Sequence, residues 1–417
     1  MTANAPETAE SVEEFRARAR SWLAANLPRL DPDAVPPLPG DDDHLWLRAR
    51  ELQQKLHAGG FAGICFPREY GGLGLPRAYQ DAFTEESMGY EMPIILNIPT
   101  FSICCATLLD VGTEEQKRQH IGAAIRGEEI LVQFLSEPSG GSDLAGLITR
   151  ADRDGDGWVI NGSKTWSTSA YAADYGLCLA RTDSDKPKHE GLTMFLVPTN
   201  APGLTINRIR MVDGSTEFCE EFFDNVRVDA SAVVGEVDGG RAVASHQLFH
   251  ERNAVGGGSP YVSGRGATPT RPKSDPFAVA LATGRTADPE VRTMLGEMLT
   301  LSAVRSQLRA RVSAGIAKGH LGPPAASMLR LFHAEHSMTE DDHALRIAGA
   351  TGGFGTGPEP GYTGLAGVSF LGRQGAGLGG GSTEMSRNII SERMLGMPRE
   401  LAPDRGVPFN QIKRGSR

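Results

Sequence analysis

Apolar positions along this chain change their period twice. In the first third they recur at helical spacing: Val12, Phe15, Ala19, Trp22 and Leu23 share one face, and Leu45, Trp46, Leu52 and Leu56 mark a second helix. Ser11 stands three residues before Glu14, and Thr113 three before Gln116, the spacing of a capping box at a helix start. Residues 31–43 (DPDAVPPLPGDDD) read as a Pro/Asp linker. Near Glu129 the pattern switches to short apolar or alternating runs, ILVQFL, WVINGSKTW, YGLCLA, LTMFLV and LTINRI. Asp-Gly at 154–155 and 156–157 and Asn-Gly at 161–162 fall between or inside them as hairpin signals, which predicts an antiparallel β domain of about 100 residues. Helical spacing returns after Gly239, with residues 255–275 as a Gly/Pro-rich loop. Asp288 and Pro289 are placed to be the N-cap and first residue of a helix whose apolar side holds Met294, Leu295, Met298, Leu301 and Leu308. A glycine-rich stretch from Gly349 to Gly381 precedes a final helix over 383–395. The order is α, then β, then α, an α+β multidomain chain divided at 1–128, 129–238 and 239–417, with no internal repeat.

A length of 417 residues fits about two to three domains. A chain that is 40% hydrophobic and 22% charged can bury a large core. The net charge of −9 argues against a nucleic-acid binder, although a few local arginines suffice for a small anionic ligand. Cys65, Cys104, Cys105, Cys178 and Cys219 show no CxxC spacing, so no zinc site or disulfide framework is signalled and reduced thiols are expected. The opening MTANAPETAESVEEF lacks a basic and apolar leader pattern, and no run reaches the roughly 20 apolar residues of a membrane span. The expectation is a cytoplasmic protein without a span.

Three segments carry candidate chemistry. QFLSEPSGGSD (133–143) begins like a strand and breaks at Pro138 into a loop in which Gly140, Gly141 and Ser142 can offer amides and hydroxyls to a polar ligand. The same residues also read as an ordinary strand exit. The segment lacks GxGxxG and a βαβ setting, which disfavours a Rossmann dinucleotide site. NGSKTWSTSA (161–170) places Trp166 beside Ser167 and Thr168, so an indole could lie on a planar ring while hydroxyls bond its edge; a core tryptophan is the bland alternative. GGGSTEMSRNIISERMLGMPRE (379–400) runs glycines into a helix start near Thr383, which can receive an anion or a carbonyl dipole. It also reads as a plain glycine loop and amphipathic helix.

Taken in order, these three segments, with FPREYGGLG (66–74) and FFDNVRV (222–228), resemble the acyl-CoA dehydrogenase family from about residue 12 to residue 400. The resemblance implies an N-terminal helical domain, a middle antiparallel β-barrel-like domain and a C-terminal four-helix bundle. It implies FAD as cofactor and α,β-dehydrogenation of an acyl-CoA, with a carboxylate taking the α proton and flavin N5 the β hydride. Gln133, Leu135 and Ser136 would face the isoalloxazine, with Gly141 and Ser142 toward the pyrophosphate or the acyl-CoA. Trp166 would cover the flavin, with Ser167 and Thr168 at its polar edge and Ser382 and Glu384 next to the cofactor.

Many members of the family carry the base in a Tyr-Glu-Gly-Thr run; here the aligned residues are Gly379, Gly380, Gly381 and Ser382. A minority, including isovaleryl-CoA and long-chain enzymes, places it on an earlier helix before an arginine. QLFHERN matches that place, which implies Glu251 as base, Phe249 and Arg252 on the substrate side, and the Gly380 amide as donor to the thioester oxygen. Read alone, Glu251 and Arg252 would be a surface ion pair. No catalytic histidine or metal is expected. The Arg-x-x-Phe-Gly segment is not visible after Arg252, and IAGATGGFG lacks the glutamine of the usual Gln-x-x-Gly-Gly-x-Gly. The implied partners are an electron-transfer flavoprotein or similar acceptor, and either a homo-oligomer (dimer or tetramer) or a hetero-oligomer in which a related chain completes the site. A flavin-binding partner subunit, or an oxidase or biosynthetic desaturase on the same scaffold, are the rival readings.

Overall fold

A computed structural model describes residues 10–31, 43–255, 257–264, 275–354 and 361–412. Most of the 31–43 linker, part of the 255–275 loop and the end of IAGATGGFG lie outside them. Helix α1 (Val12–Asn26) starts as its pattern predicts: Glu14 N donates to Ser11 Oγ and Ser11 N to Glu14 Oε2. Phe15, Ala19 and Leu23 are buried on one face. Helix α2 (Asp43–Ala58) buries Trp46, Leu52 and Leu56 but leaves Leu45 exposed. After α3 (Arg77–Glu86), a π-helical turn at Asn97–Cys105 leads into α4 (Ala106–Val111). Short helices α5 (Glu114–Gln116) and α6 (Gly122–Ile125) flank a second π-turn. The Thr113–Gln116 capping box forms, and Gln116 Nε2 also donates to Ser231 O and Val233 O, pinning these helices to the sheet. The 18-residue window Ile94–Val111 is apolar enough to pass for a membrane span by length and composition, but it is 61% buried within the protein, as a core helix is.

The middle of the chain is one sheet: β1 (Leu131–Phe134), β2 (Arg150–Asp154), β3 (Gly157–Thr168), β4 (Tyr175–Arg181), β5 (Leu192–Pro198), β6 (Leu204–Ile209), β7 (Phe218–Val228) and β8 (Val233–Val234). Its order is β6-β7-β3-β2-β4-β5-β8, with β1 added beside β4. Most pairs are antiparallel, but β1 runs parallel to β4, since it enters from the helices rather than from a hairpin. The Asp-Gly signals at 154–157 mark the β2–β3 turn. Asn161-Gly162 does not turn the chain. It lies within β3 at a register shift, and Gly162 (φ +148°) passes so close to Thr149 that a Cβ would lie 2.7 Å from its Cα. A bulge, not a hairpin, is what this glycine permits.

Helix α7 (Gly240–Val255) returns across the sheet, followed by α8 (Pro276–Ala282), α9 (Pro289–Ala317), α10 (Ala326–Ala348), α11 (Gly361–Gly372) and α12 (Thr383–Ile389), whose last turn continues as a π-turn, Ile390–Met394. Asp288 caps α9, with Pro289 at its first position. The N-terminal helices, the sheet and α7 share one apolar core, whereas the C-terminal helices enclose a smaller one around Val279, Val291, Met294, Ala344 and Ile347. Met294 and Met298 are buried, while Leu281, Leu299 and Leu371 face outward.

Candidate active site

Helix α7 is seated by contacts on two sides. At its start Gly240 abuts β5, where a Cβ would lie 2.7 Å from Thr193 Cα. Further along, Asp110 Oδ2 of α4 lies 3.1 Å from His246 Nδ1 and 2.8 Å from His250 Nε2. Adjacent helix residues project in different directions. Glu251 therefore leaves the Asp110 side and turns to β1, where its Oε2 accepts a 3.1 Å hydrogen bond from Gln133 Nε2. Burial pushes the Glu251 carboxyl above its ordinary range, opposed by the Gln133 donor and by the charges of Arg252 and Arg330. Cys104 is fully buried and feels the Glu251 charge. Phe249 and Arg252 are exposed on the same helix.

The glycine loop before α12 meets this carboxylate. Gly380 has φ +70°, and a Cβ there would lie 3.8 Å from Glu251 Oε1 and 3.5 Å from Arg330 Nε. Arg330, on α10, donates from Nη2 to Ala376 O at 2.8 Å and to Gly379 O. Ser382 caps α12, its Oγ accepting from Met385 N at 3.2 Å, and Glu384 is exposed in the first turn. That helix start and its own neighbours hold the Glu384 carboxyl below its ordinary value.

The 133–143 segment leaves β1 and turns on a buried anchor. Glu137 accepts from Ile148 N (2.7 Å), Thr149 N (2.9 Å) and Lys164 Nζ (3.0 Å), and Lys164 Nζ also donates to Leu135 O. Both side chains are out of solvent. Leu135 is buried, Ser136 half-buried, and Gly141 and Ser142 lie in an exposed loop; a Cβ on Gly141 would lie 3.1 Å from Ser136 Oγ. Thr165 N donates to Ser136 O at 2.9 Å, which brings the next residues of β3 to this loop. Trp166 sits at a β3–β7 register shift with φ 65°, a conformation rare for a bulky side chain, and 54% of it is exposed. Its ring meets Phe218 edge-on, and its exposure departs from the core alternative for this tryptophan. Ser167 turns inward, donating to Glu221 Oε2 at 2.9 Å, while Thr168 is half-buried at the strand end.

The fold thus joins Gln133, Glu251 and Gly380, and the Thr165–Ser136 backbone bond ties the Ser136 turn to the strand that carries Trp166, while Leu135 is buried. Gln133 meets Glu251 with its side chain, a contact that sequence reasoning did not anticipate. Sequence reasoning also missed Arg330, Glu137, Lys164 and Glu221. Glu137 and Lys164 both lay within the segments singled out, and a glutamate between Ser136 and Pro138 was the available signal.

The chain as a whole has relatives among known proteins. The family profiles described as acyl-CoA dehydrogenase, N-terminal domain, and acyl-CoA dehydrogenase, middle domain, match residues 9–128 and 133–226. The chain is 34% identical to the acyl-CoA dehydrogenase IpdE1 of Mycobacterium tuberculosis over 94% of its own length and 99% of that protein's. Among solved structures, the Tcur3481-Tcur3483 steroid ACAD superposes with a TM-score of 0.71 at 27% identity, covering 93% of this chain and 98% of that one. The ChsE4-ChsE5 complex from Mycobacterium tuberculosis does so with a TM-score of 0.69 at 25% identity, covering 96% and 100%. The chain belongs to the acyl-CoA dehydrogenase family of oxidoreductases, with its N-terminal helical, middle sheet and C-terminal helical parts.

Proposed function

We propose that this chain desaturates an acyl-CoA thioester between its α and β carbons, with FAD as cofactor and Glu251 as the base. The observation that carries the reading is the Glu251 carboxylate held by Gln133 at 3.1 Å and set against Gly380, where a Cβ would lie 3.8 Å from Glu251 Oε1. The residues present fit a flavin: Trp166 offers an open indole face, and the Ser136–Ser142 turn offers amides and hydroxyls beside it. FAD, when bound, supplies the acceptor for the β hydride. Glu251 takes the α proton, and its burial raises its basicity toward that task. The Gly380 amide donates to the thioester oxygen as negative charge develops there. Ser142, Phe249 and Arg252 face the acyl-CoA, and Thr168, Ser382 and Glu384 border the cofactor, whereas Ser167, expected there from the sequence, is buried and bonded to Glu221. Glu251→Gln keeps the shape but cannot take the proton, so flavin reduction by substrate falls about 10²–10⁴-fold while bound FAD is retained. Near-native reduction by Glu251→Gln sinks the reading.

The substrate and assembly follow from the same family. The steroid ACAD among the structural relatives supports a bulky, ring-bearing acyl group. Outward-facing Leu281, Leu299 and Leu371 on the C-terminal helices, with the missing Arg-x-x-Phe-Gly segment, support an oligomer in which another chain completes the FAD site. One structural relative, ChsE4-ChsE5, is itself a complex. The electron acceptor would be an electron-transfer flavoprotein or similar protein, with the chain in the cytoplasm. Anaerobic flavin bleaching with a panel of straight, branched and steroidal acyl-CoAs, and the mass of the purified assembly, test these points.

A further inference from the structure

Arg330 is absent from every motif described above, yet it stands at the centre of the site. It reaches from α10 under the glycine loop, where Nη2 donates to Ala376 O and Gly379 O. Its Nε–H is buried and has no hydrogen-bond partner among the described residues. The same Nε would lie 3.5 Å from a Cβ on Gly380, which would itself lie 3.8 Å from Glu251 Oε1. A buried guanidinium N–H without a partner is costly, so its place against the loop calls for a compensating role.

We propose that Arg330 is a positioning residue for the reaction, resting on the assignment of Glu251 as base: one edge of its guanidinium fixes the loop that presents the Gly380 amide, and its charge faces the Glu251 carboxylate across that loop. Two tasks fall to one side chain because a guanidinium is a planar fork that stays charged even when partly buried. The groups around Glu251 define what else acts on it. Gln133 on β1 donates a neutral hydrogen bond, Arg252 lies next to it on α7 and is itself faced by Arg393, and Cys104 on the Asn97–Cys105 turn is a buried thiol. His250 and His246 are engaged with Asp110. Among the described residues, Arg330 is thus the cation that acts on the carboxylate from outside α7.

The direction of the effect follows. Glu251 acts as base only when ionised, and a cation favours that form. Removing the charge moves the acidic limb of the rate profile to higher pH. Each unit of displacement lowers the rate about tenfold on the acidic side and leaves the alkaline plateau untouched. Losing the loop contact instead lowers the plateau at every pH. The test is the rate of anaerobic flavin reduction by a saturating acyl-CoA from pH 5.5 to 9.5 in the wild type, Arg330→Gln and Arg330→Lys, in the FAD-loaded assembly. Arg330→Gln is expected to move the acidic limb up by about one unit and lower the plateau, whereas Arg330→Lys keeps the limb near its wild-type position and lowers only the plateau. Arg330→Met, which removes both charge and donor, repeats the limb shift should Arg330→Gln bind FAD poorly. A uniform loss with an unmoved limb in both Arg330→Gln and Arg330→Met overturns the electrostatic role, and a wild-type plateau in Arg330→Lys overturns the loop role. A Glu251→Gln enzyme with native rates would instead overturn the base assignment itself, a separate outcome.

Discussion

Lys164→Met is the sharpest probe of how the candidate site is held. The Lys164 and Glu137 side chains are 0% and 2% exposed and 3.0 Å apart. Glu137 also accepts from the amides of Ile148 and Thr149, and Lys164 also donates to Leu135 O at the exit of β1. Burial pushes the Glu137 carboxyl up, but the Lys164 charge and these donors outweigh it and hold the carboxyl below its ordinary value. Removing one member of such a pair leaves a buried charge without its partner, at a cost of about 3–5 kcal/mol. The sign with pH is fixed by the lowered value. Stability from ionised Glu137 is present above its unfolded pKa and is lost as pH falls through the folded one. Without Lys164 the carboxyl titrates higher, so the variant sheds its unpaired charge by protonation. Its deficit should be full near pH 8 and shrink toward pH 4. Denaturant unfolding followed by circular dichroism at both pH values measures this. A deficit below about 1 kcal/mol at pH 8, or one that does not change with pH, would refute the reasoning.

Two further outcomes follow. Glu221 is fully buried, with Ser167 bonded to one oxygen and the other oxygen without a partner among the described residues, and burial pushes its carboxyl up to about 7. The folded state therefore binds the proton more tightly than the unfolded one, and stability falls as pH rises from about 4.5 to about 7. Glu221→Gln should flatten that slope and gain up to roughly 3 kcal/mol at pH 8, read from paired unfolding curves; an unchanged slope would count against it. Trp166→Gly should relieve the left-handed backbone and raise the stability of the FAD-free protein by about 1 kcal/mol while weakening FAD retention, measured by thermal unfolding and flavin titration; tighter FAD binding would contradict the placement of the indole.

Much of the fold was legible because its determinants are local. The Ser11–Glu14 and Thr113–Gln116 boxes, the Asp288–Pro289 start and the apolar faces of α1 and α2 depend on neighbours within a helical turn or two. Asn161-Gly162 shows the limit of such reading. The dipeptide suits a tight hairpin, but its long-range pairing with Thr149 and β7 turned the glycine into a bulge.

The family motifs located the candidate site, and the absence of a glutamate at Gly380 pointed to Glu251. What the sequence by itself determined was therefore the order of elements and the chemical groups at hand. The tertiary structure alone decided which groups meet. Gln133 reaches Glu251 across 118 residues, Lys164 finds Glu137 inside the sheet, and Arg330 arrives from α10 beneath the loop of Gly380. The reason is physical: a residue's basicity and the cost of its charge depend on burial and on nearby charges. Those are supplied by segments distant in the chain, which no local pattern encodes.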